Sequence, residues 1–74
     1  MPAAKLYSTS FCHLCEDAQQ TLKQARIAYT IVDILGDDLL FEQYGTRIPV
    51  LKRTDTNAEL DWPFDAVTAV RFIC

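Results

Sequence analysis

Phe11-Cys12-His13-Leu14-Cys15-Glu16-Asp17 is the stretch on which the fold of this chain turns. It follows an apolar-alternating run, Ala4-Lys5-Leu6-Tyr7, and precedes a segment of helical period. A C-x-x-C at a strand-to-helix junction reads as redox equipment. At a helix N-terminus the first backbone N–H groups lack intrahelical partners and the macrodipole is positive, so a thiolate there is stabilised over its thiol. Cys12 is therefore the expected attacking sulfur. Cys15 follows by close to one helical turn, within reach of a mixed disulfide formed on Cys12, which makes it the resolving thiol. Glu16 and Asp17 suit a first helical turn, although their charge works against a neighbouring thiolate. The competing readings of the pair are two small buried hydrophobes or half of a metal site.

The rest of the chain frames this site as one domain spanning residues 1–74. A chain of 74 residues buries only about 60% of the surface its unfolded form exposes, so its stability margin is thin. Half of the residues are hydrophobic and 23% are charged, a globular balance that predicts a single packed core. A net charge of -3 and a pI near 4.8 give no electrostatic footprint for nucleic acid or anionic lipid. No basic leader with a long apolar segment and no run of membrane-spanning length is present, so a cytoplasmic, monomeric protein is expected. Three cysteines do not make a disulfide framework, and in a reducing compartment a lone C-x-x-C is catalytic or metal-binding. Cys74, with no nearby partner in sequence, reads as an incidental terminal thiol or an intermolecular one.

Periodicity supplies the element order. Lys5 to Ser8 reads as a strand, Thr9-Ser10-Phe11 as the turn, and Ser10 as a candidate N-cap. Leu14, Ala18, Leu22 and Ala25 then mark the apolar face of an amphipathic helix of about 14 residues. Ile27 to Ile34 is rich in β-branched residues on both faces and reads as a buried strand parallel to the first, joined by a right-handed crossover. Gly36-Asp37-Asp38 opens a short helix through Leu39, Leu40, Phe41 and Tyr44, with Gly45 as its C′ residue. Ile48 to Arg53, the turn Thr54-Asp55-Thr56-Asn57, and Ala58 to Leu60 make an antiparallel hairpin. Asp61-Trp62-Pro63-Phe64-Asp65 is a corner, and Ala66 to Ile73 a closing helix with Val67, Val70 and Ile73 on one side. The expected fold is α/β, in the order β-α-β-α-β-β-α, with a four-stranded mixed sheet flanked by helices.

That order, C-H-L-C after the first strand and T-R-I-P-V opening the third together resemble a glutaredoxin-like member of the thioredoxin fold, over nearly the whole chain. The resemblance implies a thiol–disulfide oxidoreductase in which Cys12 and Cys15 reduce protein or glutathione mixed disulfides. No bound cofactor is implied, only glutathione as a co-substrate and a reductase as electron donor. It also implies that Pro49 is cis, lies beside the active disulfide and leaves the preceding backbone at Ile48 free to pair with a bound peptide or glutathione. An edge-strand proline is the plainer reading. The chain departs from strong glutathione users, which carry C-P-Y-C and a Gly-Gly followed by Ser/Thr-Asp; here stand C-H-L-C and L-D-W-P-F-D, without the glycines that permit close backbone approach. Asp61 or Asp65 is placed to grip an ammonium and Arg47 to pair a carboxylate, each otherwise a solvated surface charge. W-P-F-D also resembles the Trp and Phe corner of redoxins that take electrons from thioredoxin reductase.

Phe11 is read as a lip of the site, Trp62 as corner packing, and His13 either as a partner of the Cys12 thiolate or as a solvent-facing residue. Two other functions fit the same residues. One is an interaction module that keeps the scaffold with an idle dithiol, since fold does not fix function. The other is a zinc or iron–sulfur centre drawing on Cys12, His13 and Cys15, with adjacent Cys12 and His13 poorly placed to chelate together, which would need a second chain or external thiols to complete its ligands.

Overall fold

The computed structural model describes residues 4–73, and Cys74 lies outside the described residues. The elements are β1 (Ala4–Ser8), α1 (His13–Gln24), β2 (Tyr29–Asp33), α2 (Asp38–Tyr44), β3 (Val50–Arg53), β4 (Glu59–Asp61) and α3 (Ala66–Ile73). The sheet order is β2-β1-β3-β4, with β1 and β2 parallel and the other two pairings antiparallel. The C-terminal ends of β1, β2 and β4 and the N-terminal end of β3 therefore meet at one end of the sheet, the end from which the Cys12 loop departs.

Alternation along the strands splits the apolar residues between two faces. Ala4, Leu6 and Leu51 point to the face covered by α1 and α3, where they pack with Ala18, Leu22, Phe64 and Ala69. Tyr7 and Val50 point to the other face and pack with Ile34 and with Tyr44 of α2. The larger cluster is the main core.

Helix ends follow local chemistry. At the end of α1, Ile27 N–H donates to Leu22 O and Arg26 N–H to Lys23 O, with Arg26 left-handed at φ 57°. This is a Schellman closure, and Ile27 packs against the same core as Leu22. Asp37 caps α2 by accepting from the N–H groups of Leu39 and Leu40. Asp65 accepts from Thr68 N–H at 2.7 Å at the start of α3, and Arg53 donates to Phe72 O at its end.

Four expectations need correction. Cys12, not Ser10, is the N-cap of α1, because the chain turns left-handed at Phe11 and enters the helix only at His13. β2 is an edge strand, not a buried one: it pairs with β1 alone among the described strands, Tyr29 reaches α1 through Gln19, and Ile31 is left 45% exposed. Gly45 is right-handed at φ -55°, and the left-handed glycine is Gly36, at φ 89° in the turn after β2. In α3 the inward residue is Ala69, whose small side chain lets the helix approach the core, with Phe72 and Ile73 beside it. Val67 and Val70 are exposed instead, and with Gln24, Ala25 and Arg71 they line a surface groove of about 440 Å³. Strand limits also shift, with β3 beginning at Val50, not Ile48, and β4 running Glu59–Asp61.

Candidate functional site

Cys12 and Cys15 form a disulfide with their Cα atoms 5.2 Å apart. Cys12 has extended backbone, φ -97° and ψ 106°, so its side chain turns back over the helix start. There its Sγ accepts from Cys15 N–H at 3.2 Å, while its carbonyl accepts from Glu16 N–H at 3.1 Å. The sulfur thus occupies the position an Asp or Ser oxygen takes in an ordinary N-cap, where unpaired N–H groups favour negative charge. Cys15 is buried and Cys12 half-buried, so an incoming group reaches Cys12 first.

The sheet brings other parts of the chain to the same place. Tyr7 pairs with Val50, and Val50 with Asp61, so Pro49 and Trp62 continue those strands toward the end where Ser8 leads to Cys12. Pro49 is fully buried, its peptide bond with Ile48 is cis, and its carbonyl accepts from Trp62 N–H at 3.3 Å. Ile48 is half-buried against the smaller core cluster, and its N–H donates to Tyr44 O at 3.0 Å, so this donor is not free as the resemblance implied. The Trp62–Pro63 bond is also cis, and Trp62 packs edge-on against Phe64 at 5.0 Å between ring centroids. Phe11 is fully exposed, with left-handed backbone at φ 59°, and Leu14 is 49% exposed. His13, the first residue of α1, is exposed.

Arg47 and Asp61 are brought together rather than left as separate solvated charges. Arg47 Nη2 donates to Asp61 Oδ1 at 2.8 Å and to Glu59 Oε1 at 2.9 Å, and the guanidinium lies 5.3 Å from the Tyr44 ring centroid. Tyr44 donates its hydroxyl to Glu59 Oε2 and stacks on Tyr7 with 4.3 Å between centroids. The two carboxylates hold the Arg47 pKa above its ordinary value, Asp61 most strongly. Burial first, then the bond to Glu59, raises the Tyr44 pKa, and the same bond, followed by Arg47, lowers that of Glu59. This network ties the loop before Pro49 to β4. Asp65 is not part of it and serves as the α3 cap.

The sequence reading placed Tyr7, Tyr44 and Glu59 in their elements but missed the network that joins them to Arg47. A signal for Glu59 was present, since Glu59 and Asp61 alternate on a strand and so share one face, toward which Arg47 leads from the preceding loop. Among the described residues, no three His, Cys, Asp or Glu side chains group as metal ligands.

A four-stranded mixed sheet between helical layers, with a C-x-x-C disulfide capping the first helix, defines a thioredoxin-like α/β domain. The chain belongs to the glutaredoxin-like domain (DUF836) family, whose pattern matches residues 4–71. It is similar to protein XcR50 from X. campestris, with 43% identity over 96% of this chain and 95% of the other, and a TM-score of 0.90 to its X-ray structure. The solution structure of XcR50 gives a TM-score of 0.86 with 91% of that chain covered. Ne2328 from Nitrosomonas europaea shares the fold at 24% identity and a TM-score of 0.75, covering all 100% of this chain and 94% of that one. No curated protein matches the chain.

Proposed function

We propose that this protein is a thiol–disulfide oxidoreductase that reduces protein or glutathione mixed disulfides through Cys12 and Cys15. The observation that carries this reading is the position of Cys12 Sγ, at the N-cap of α1 in a bridge to the more buried Cys15. In the reduced protein the Cys12 thiolate attacks a substrate disulfide: a Cys12–substrate S–S bond forms, the substrate bond breaks, and the leaving sulfur takes up a proton. Cys15 then attacks Cys12, forming the internal bridge and releasing the second substrate sulfur, so two electrons pass from the dithiol to the substrate. Glutathione or a reductase returns the two electrons. Phe11 and His13 flank the attacking sulfur, and the Ile48–Pro49 segment, held by the Arg47–Asp61 pair, borders the substrate. No described helix is long and apolar enough to cross a membrane, and the cytoplasm, where glutathione and reductases reside, suits this chemistry.

Single substitutions test the order of attack. Cys12→Ser is expected to abolish exchange, whereas Cys15→Ser accumulates a mixed disulfide on Cys12 that intact-mass measurement resolves. Folded Cys12→Ser protein that still reduces disulfides at the wild-type rate would rule the mechanism out. The potential of the pair, read by equilibration with glutathione buffers, is expected at about -270 to -180 mV.

A further inference from the structure

We infer that the Cys12 end of the molecule receives a basic protein segment whose disulfide is flanked by apolar residues, and discriminates against glutathione; this rests on the exchange reaction proposed above. The fold sorts the charges by end of the sheet. Glu16 and Asp17 lie at the start of α1, Asp33 at the end of β2, Asp37 and Asp38 at the start of α2, and Asp61 at the end of β4, and all six are exposed. Strand direction gathers these carboxylates around Cys12. Among the described residues two cations reach toward that end: Arg47, whose guanidinium is engaged by Asp61 and Glu59, and Lys52, whose ammonium lies 6.0 Å from the Tyr7 ring centroid. At the far end Lys23 and Arg26 close α1, Arg71 lies across the groove from Gln24 and Ala25, and Arg53 closes β3 paired with Asp55 at 2.7 Å. A modest net charge of -3 therefore conceals a molecule with one acidic end and one basic end.

Two further observations bear on the same surface. Phe11, next to the attacking sulfur, is entirely in solvent, with Leu14 beside it and Leu35 and Leu39 exposed where β2 passes into α2. Exposed apolar side chains rimmed by charge mark a protein-binding surface, and an aromatic at its centre is a usual anchor. Glutathione meets the opposite conditions. It is an anion at neutral pH, its carboxylates need a cation, and Arg47 is already paired within the protein. A basic segment gains from the acidic field as it approaches and from Phe11 once it arrives, with rate effects of roughly 10 to 1,000-fold available to steering of this kind.

The test uses the full-length, pre-reduced protein with three substrates: a disulfide peptide flanked by lysines, the same peptide with glutamates in those places, and glutathione disulfide. Second-order rates of peptide thiol release are followed at low and high salt. At an ionic strength of about 0.01 M the lysine peptide is expected to react at least 10-fold faster than the glutamate peptide, and the ratio should collapse toward unity near 1 M, where screening acts within about 3 Å. Asp17→Lys together with Asp38→Lys should lower the ratio at low salt; because a ratio is read, a change in Cys12 reactivity common to both peptides cancels. Equal rates for the two peptides at low salt, or glutathione disulfide outpacing the lysine peptide, would overturn the inference and leave the exchange reaction standing. No reduction of any of the three would remove the exchange reaction and this inference with it.

Discussion

Replacing Glu59 by alanine removes the acceptor shared by Tyr44 and Arg47, and the cost can be worked from the contacts. Tyr44 is 4% exposed, so its hydroxyl loses its acceptor in a place water reaches poorly, at about 1–3 kcal/mol. Arg47 keeps Asp61 at 2.8 Å, and with 36% of its side chain exposed the lost pair adds no more than about 1 kcal/mol. The sum is about 1–4 kcal/mol, against a total for 74 residues on the order of 4–11 kcal/mol. Urea unfolding should show the midpoint lowered with the slope unchanged, and the melting temperature falling by roughly 4–32 °C. A double-mutant cycle with Tyr44→Phe isolates the hydroxyl–carboxylate bond, because Tyr44→Phe keeps the ring stacked on Tyr7. Coupling above about 0.5 kcal/mol is expected from residues in direct contact. Strict additivity of the two substitutions, or a loss below about 0.5 kcal/mol for Glu59→Ala, would refute the network as the tie between the Pro49 loop and β4.

The same network predicts a pH dependence of stability at both extremes. Tyr44 has a raised pKa, so its contribution is full below the ordinary value of 10.0 and lost as pH climbs past that into its folded range. Glu59 has a lowered pKa, so its contribution is full above 4.5 and is lost as pH falls through its folded value. Urea titrations across pH should show both declines in the wild type, with the alkaline one weakened in Tyr44→Phe. On α3, Ala69→Leu should cost about 1–3 kcal/mol by overpacking, while Val67→Asn stays within about 0.5 kcal/mol; thermal melts giving the reverse order would contradict the inward face assigned to that helix.

The element order and the closing helix, Ala66–Ile73, were legible because periodicity and turn residues act locally. What a single sequence does not carry is how the layers overlap. The apolar residues of β2 read as a buried strand, yet at its place on the sheet edge Ile31 is exposed. In α3, valine spacing suggested an inward face that close helix approach awarded to alanine instead. At the site, Cys12 and Cys15 were legible from spacing alone, and a buried Pro49 at the Cys12 end of the sheet agrees with the family resemblance. The partnership of Arg47 with Asp61 was not legible, because it depends on a loop and a strand fourteen residues apart meeting across β3. Ser10 lost the N-cap to Cys12 for a backbone reason: the left-handed turn at Phe11 delays helix entry.

Among the described residues the sheet divides the apolar core unequally, with seven buried residues in the cluster on the α1–α3 side and four in that on the α2 side. The minor side leans on a stacked tyrosine pair and a polar tether, so α2 has less apolar cover to lose when it opens than β1 or α1. Opening of that layer can occur without dissolving the major one. The molecule is thereby mechanically graded, with a stiff half that fixes the two sulfurs and a more yielding half that carries Leu39 and the approach to Pro49. Hydrogen exchange should accordingly find the amides of α2 opening more readily than those of β1 and α1.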